Sequence, residues 1–405
     1  MKTFRILLKI LIIVSVSTGF SNLAIAQTPY QNDFEELWKT VNDNYAYLNQ
    51  QNIDWKKVKT IYSPVADTVK TDNSFISFLE TVLNELHNGH NSLSTNLPTS
   101  NRLVPSGMDV YVEKMNGKYF ITDVRKGFGA EQCGLRTGME ILKFNNRSID
   151  EQIVKFLPKY TNTYNQPMYQ YAIDMLFAGT HDKPRKITTA LNGIQKDYFP
   201  DNLKISGNKK LIECKILDNK IGYIKVSNSL YNFDLINEFD SVLDSFILLK
   251  GIILDLSETP SGGNTTVARA IMGRLIDTKL PYQTHEVDES VYDTKQIWTE
   301  YVIPRKKIYK GKVVLMVGHW TGSMGEGIAI GLDAMNRVTI VGTKMAGLLG
   351  AIDGFKLTNT KIGFQISTER LYHINGTPRE NYKPDILTKD SEETWSQARR
   401  IMELN

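Results

Sequence analysis

Three short apolar runs constrain the fold of this chain more than any other feature: "GIILDL" at 251–256, "KVVLMVG" at 312–318 and "VTIVG" at 338–342. Strands buried on both faces read as continuous apolar runs, and such strands belong to parallel sheets covered by helices. Helical patterns lie between them. Over 233–249, Leu235, Ile236, Phe239, Val242, Leu243 and Phe246 fall on one face, and a second helix is expected from about 264 to 277. "KIGYIKV" at 220–226 adds a further strand. Residues 209–405 are therefore expected to form an α/β core with a mostly parallel sheet.

The upstream chain reads differently. Residues 31–93 carry helical stripes, one of Phe34, Leu37, Trp38, Val41 and Tyr45, another of Phe75, Phe78, Leu79, Val82, Leu83 and Leu86. The second has a start signal at Asp72-Asn73-Ser74 and a stop at Asn88-Gly89, so His90 falls in a turn just past a helix end. From 103 to 200 the text is strand-rich, with a hairpin signal at Asn116-Gly117 and mixed signals after about 159. The first 26 residues combine Lys2, Arg5 and Lys9 with an apolar stretch and a small-residue "AIA" before Gln27, which reads as a secretory signal peptide. The expected organisation is a signal peptide over 1–26, a helical region over 27–100, a β-rich region over 103–200 and the α/β core over 209–405.

Several function classes drop out. A net charge of +4 on 405 residues, with no basic run, argues against a nucleic-acid partner. Beyond the signal peptide no segment approaches the ~20 apolar residues of a spanning helix, so no membrane span is expected after cleavage. Cys133 and Cys214, the only cysteines, can form at most one disulfide and no zinc site, and read as structural. His87 and His90 are three apart, but Asn-Gly breaks the helix between them and no carboxylate completes a metal set. No metal or cofactor is expected. His181, His285 and His373 carry no supporting pattern.

"VVLMVGHWTGSMGEGIAIGLDAMN", residues 313–336, runs from strand through a glycine-rich elbow into a helix with Ser323 at the bend. Such an elbow exposes a hydroxyl, and the first N–H groups of the helix can stabilise developing negative charge. The same text, "SMGE", also fits a capping box in which Ser323 is the N-cap and Glu326 the third helical residue. Locally both readings stand, and this is not the G-x-S-x-G elbow of lipases. His319, at the strand end, reads as a pocket wall.

The wider chain bears on the choice. "KGFGAEQCGLRTGMEILKFNNRSI" resembles the PDZ signature through Gly134, Leu135, Gly138, Ile141, Leu142 and Asn145, with Met139 where that family has Asp. "KIGYIKV…GIILDLSETPSGGN", "TGSMGEGIAIGLDAMNRVTIVGTKMAG" and "YHINGTPRENYKPDI" resemble, in chain order, the core motifs of the superfamily of C-terminal (tail-specific) processing peptidases and the tricorn core protease. The tail-specific branch uses a lysine about 25 residues after the serine. Here that position is Leu348, and Lys344 falls four residues short. The tricorn-like branch uses an upstream histidine in "L-x-D-g-H", matched by "LHNGH" with Asn88 in place of Asp, and a glutamate about 57 residues past the serine, matched by Glu380.

The resemblance thus implies a serine peptidase of the tricorn-like branch with a ClpP/crotonase-like core and a PDZ-like insertion, and the signal-peptide pattern of residues 1–26 adds export to the periplasm or the outside. Its implied triad is Ser323 as nucleophile, His90 as general base and acid, and Glu380 as the group orienting the imidazole. The oxyanion donors would be the backbone N–H of Met324 and one from Gly262 or Gly263, and Ser257 stands where the family often has Arg. Implied partners are peptides or unfolded tails, held by strand addition. A catalytically silent peptide-binding protein on the same scaffold and a small-acyl esterase are the rival readings.

Overall fold

The computed structural model describes residues 27–203, 210–218, 220–289 and 292–403; the stretch read as a signal peptide lies outside them. Three helices open the chain: α1 (Pro29–Asn44), α2 (Trp55–Ala66) and α3 (Asp72–Asn84). α1 and α3 each begin with a capping box, Thr28 with Gln31 and Thr71 with Ser74, which satisfies orphan N–H groups of the first turn. α3 starts where the sequence signal stood, and His90 follows it in a turn.

A short strand, β1 (Ser92–Leu93), leads to the β-rich region: β2 (Val110–Met115), β3 (Lys118–Val124), α4 (Gly129–Cys133), β4 (Glu140–Phe144), α5 (Ile149–Ile153), α6 (Gln166–Ala178), β5 (Ile187–Leu191) and β6 (Ile194–Tyr198). Its five strands form an antiparallel sheet in the order β2-β3-β4-β5-β6, so β2 is an edge. The stretch after 159 with mixed signals resolves into α6 and the β5–β6 hairpin.

The α/β core comprises β7 (Ile212–Leu217), β8 (Ile221–Val226), α7 (Asp234–Ser245), β9 (Gly251–Asp255), α8 (Thr265–Met272), β10 (Leu280–Glu289), β11 (Thr294–Val302), β12 (Lys312–Val317), α9 (Met324–Ala334), β13 (Thr339–Gly342), β14 (Ala351–Lys356), β15 (Gly363–Tyr372), β16 (Ile386–Leu387) and α10 (Ser391–Glu403). The all-apolar runs are the inner strands of a six-stranded sheet, β16-β13-β12-β9-β8-β7, parallel except for β7. α7, α8 and α9 cover one face of it with Leu235, Phe239, Ile271 and Ile328, while Ala398 and Met402 of α10 cover the other.

A third, antiparallel sheet, β1-β15-β10-β11 with β14 on β15, joins the two ends of the chain. α1 to α3 share one core with this sheet: Phe34, Leu37, Phe75 and Leu79 pack with Phe364 and Ile366 of β15. Buried Asp33 of α1 fastens the arrangement by accepting the backbone N–H groups of Asn359 (2.9 Å) and Thr360 (2.7 Å) at the β14–β15 turn. This brings the turn after α3 against the core.

Candidate active site

The elbow after β12 is built by short-range hydrogen bonds. Thr321 Oγ1 donates to Leu256 O at 2.9 Å and accepts Gly318 N–H at 2.9 Å, pinning the elbow to the end of β9. The adjacent 257–263 turn is tied in through Thr259 N–H to Trp320 O (3.1 Å) and Gly322 N–H to Thr259 O (3.2 Å). Ser323 then takes φ +51° and ψ −112°, a left-handed backbone that costs a non-glycine residue on the order of 1–3 kcal/mol and persists only where its surroundings impose it. Gly322 has no room for a side chain, since a Cβ would lie 2.6 Å from Pro260 O.

Both local readings of Ser323 now have a place. Fully buried Glu326 reaches back to accept the Ser323 N–H at 2.7 Å and also accepts Gly347 N–H at 2.9 Å. The Ser323 hydroxyl, meanwhile, lies 3.0 Å from His90 Nε2. Burial pushes the Glu326 carboxyl up to about 7.

The His90 turn is held by β15. Gln365 Nε2 donates to His90 O (2.9 Å), Ser367 N–H to Asn91 Oδ1 (3.1 Å), and Asn88 Oδ1 accepts the His90 N–H (3.1 Å). His90 Nδ1 sits 3.0 Å from the carbonyl of Leu349. A carbonyl can only accept, so Nδ1 carries the proton and Nε2 presents its lone pair to the serine hydroxyl. Burial, aided by the Arg379 cation, pushes His90 down to about 4, so the ring is neutral at neutral pH.

The orienting group is where the structure departs from the expectation. No hydrogen bond joins Glu380 to the ring; the partner of Nδ1 is Leu349 O. That carbonyl also accepts Ser367 Oγ at 2.6 Å, and Ser367 Oγ accepts Asn88 Nδ2 at 2.9 Å. Buried Arg379 clamps the carbonyls on either side, Leu348 O at 2.8 Å and Gly350 O at 2.9 Å, which aims Leu349 O at the histidine. Glu380 follows Arg379 in a single 3-10 turn, and its Oε2 has no hydrogen-bond partner. The physical reason is connectivity: the segment 348–350 lies between the Arg379 turn and the ring. Leu349, Ser367 and Arg379 were missed because one acts through its backbone and the others act through it.

The oxyanion candidates divide as well. Gly262 has φ +63°, and a Cβ there would stand 2.4 Å from Ser323 Cβ and 2.9 Å from Met324 N, so only glycine fits against the nucleophile. Its own N–H, however, donates to Thr259 O at 3.1 Å and is spent in the turn. Among the described residues, the backbone donors of this turn and elbow left without a hydrogen bond include Met324 N–H, next to Ser323, and Gly263 N–H, next to Gly262. Gly263 itself packs against the Leu230 backbone, 2.2 Å from where a Cβ would stand.

The remaining candidates fall elsewhere. Leu348, at the lysine position, is buried and wedges its methyl groups between Gly322 and Gly89, while Lys344 is exposed. His319 is buried and stacks on Tyr111 at 3.6 Å, and burial pushes it down to about 3. His87 pairs with Tyr160 OH at 3.1 Å, and no group of potential metal ligands occurs among the described residues. His285 contacts Glu369 at 2.7 Å, His373 lies 3.2 Å from Asp333, and His181 is exposed. Cys133 and Cys214 are both free thiols. Ser257 lines a cavity with Arg125 of the β-rich region, whose guanidinium meets Glu258 at 2.9 Å.

A parallel α/β core with a strained serine at a strand-to-helix elbow, facing a neutral histidine, is the framework of a serine hydrolase. Residues 220–388 match the model of Peptidase family S41, and residues 27–84 that of the Tricorn protease C1 domain. The chain thus carries a Peptidase family S41 domain over residues 220–388 and a Tricorn protease C1 domain over residues 27–84. Its fold is similar to that of mature CPAF (TM-score 0.64, 13% identity, 93% of this chain and 97% of that one). It is also similar to the photosystem II D1 C-terminal processing protease (TM-score 0.54, 16% identity, 90% and 94%). None of the curated proteins compared matches the chain.

Proposed function

We propose that the protein is an exported serine peptidase that cleaves peptides or unfolded tails through an acyl-enzyme on Ser323. The observation that carries this reading is the 3.0 Å approach of His90 Nε2 to Ser323 Oγ, with the opposite ring nitrogen committed to Leu349 O. Ser323 Oγ attacks the scissile carbonyl as its proton passes to Nε2. The oxyanion is received by the N–H groups of Met324 and Gly263. His90 returns the proton to the leaving amine, the acyl-enzyme is left on Ser323, and water activated by the same nitrogen releases the acid. Leu349 O, held by Ser367 and Arg379, fixes the tautomer throughout. Glu380 adds negative charge near the Arg379 turn rather than a bond to the ring.

The β-rich region supplies an edge strand, β2, flanked by α6, an arrangement suited to holding an extended peptide by strand addition as a PDZ-like domain does. Export rests on the signal-peptide pattern of residues 1–26. The test is a fluorophosphonate label together with matched peptide and ester panels. A peptidase labels at Ser323 and turns over unfolded peptides. Labelling with turnover of esters alone supports the esterase reading, and absence of both supports the silent binder.

A further inference from the structure

Strand addition needs free backbone acceptors on the receiving edge, and on β2 one of them is already taken. Gln170 of α6 reaches across and donates its Nε2 to Val112 O at 3.0 Å. The Val112 carbonyl faces away from β3, whose Ile121 N–H is committed to Met139 O at 3.0 Å. The same amide nitrogen is held from behind by Asp174 Oδ1 at 2.8 Å, one turn along α6. Gln170 thus stands where the backbone N–H of an added peptide strand would stand.

The space beside this contact leads to the chemistry. A cavity of about 360 Å³ is lined by Tyr111, Gln170 and Asp174 of the β-rich region together with Met345, Leu348 and Glu326 of the core, and reaches the segment that carries Leu349 O. One cavity therefore joins the Gln170 contact to the segment that holds the catalytic histidine. We propose that Gln170 is a specificity-determining residue that guards the β2 edge: it mimics a substrate N–H at Val112 O, and only a chain able to pair along the edge as an extended strand displaces it. Because Asp174 accepts from the same amide, the side chain keeps one partner when it leaves Val112, so displacement costs one neutral hydrogen bond rather than two. A folded surface or a short ester has no run of N–H groups with which to make that exchange.

The inference rests on the reading of this region as the peptide-holding element, and the test separates the two. The full chain carrying Ser323→Ala is titrated with a fluorescein-labelled extended Val/Thr/Ser peptide, and with the same peptide N-methylated at alternate residues. Gln170→Met keeps the volume and removes the donor; Gln170→Ala removes both. Each is expected to tighten binding of the plain peptide about two- to tenfold, the range that one neutral hydrogen bond represents, while the N-methylated peptide binds poorly in every case. Binding of the plain peptide that is unchanged or weaker in both variants overturns the guard role while leaving strand addition intact. Equal binding of plain and N-methylated peptides overturns strand addition itself, and the guard with it.

Discussion

At the scale of the residue, catalysis turns on which groups hold a proton. His90→Ala should lower the rate about 10²–10⁴-fold, the usual contribution of a general base, and Lys344→Ala should stay within a few-fold, because the exposed lysine is not part of the elbow. Steady-state kinetics on one unfolded peptide decides between them. Glu380→Gln should fall well short of the ~10²-fold lower bound for losing a base, since Leu349 O and not the carboxylate meets Nδ1. A loss equal to that of His90→Ala would restore Glu380 as the orienting group. Gly262→Ala should abolish most acylation, on the order of 10²-fold or more, because its methyl would meet Ser323 Cβ and crowd Met324 N.

The pH dependence belongs to the same scale. His90 is a base only when neutral, and burial holds it down to about 4. In a pH profile kcat/KM should therefore stay flat through the mildly acidic range and fall only towards about 4, where the ring takes a proton. A limb near 7 would instead mark the buried Glu326 carboxyl, pushed up to about 7. The stability sign follows. The unfolded histidine binds a proton below about 6.5 that the folded one refuses until about 4, so this residue makes folding less favourable as pH falls through that window.

At the scale of the element, the inner parallel strands were legible because their apolar runs are almost unbroken, and the α3 start because Asp72-Asn73-Ser74 marks its first turn. The elbow was legible as an elbow, yet its two meanings could not be parted locally, since Glu326 serves Ser323 N–H while the hydroxyl serves His90. The β10–β11 and β14–β15 pairs left a weaker trace. β11 interleaves Lys295, Gln296, Thr299 and Glu300 with its apolar residues and is largely exposed, so periodicity gives little signal for its pairing with β10. Ser367 of β15 illustrates the limit: a buried serine in a strand is unremarkable in sequence, and acquires its role only because residues 88, 349 and 367 meet in space.

At the scale of the whole molecule, the β-rich region is docked on the core beside the catalytic turn. Trp320 Nε1 donates to Met108 O at 3.0 Å, and Arg125 meets Glu258, next to Thr259 of the oxyanion turn, at 2.9 Å with both side chains largely buried. Arg125→Ala leaves Glu258 buried without its partner, and removing one member of such a pair costs about 3–5 kcal/mol. We expect faster hydrogen exchange in residues 257–263 together with a loss of kcat. Unchanged exchange there would mean that the two regions are independent. None of this docking was visible in sequence, because each contact joins positions more than a hundred residues apart.

The most direct measurement is the rate at which a fluorophosphonate acylates Ser323, followed by mass spectrometry of the labelled peptide in wild-type protein, His90→Ala and Glu380→Gln. The geometry predicts modification at Ser323 alone, slowed at least about 10²-fold in His90→Ala and only modestly in Glu380→Gln. Labelling at another residue, or a His90→Ala protein that reacts at the wild-type rate, would contradict the account.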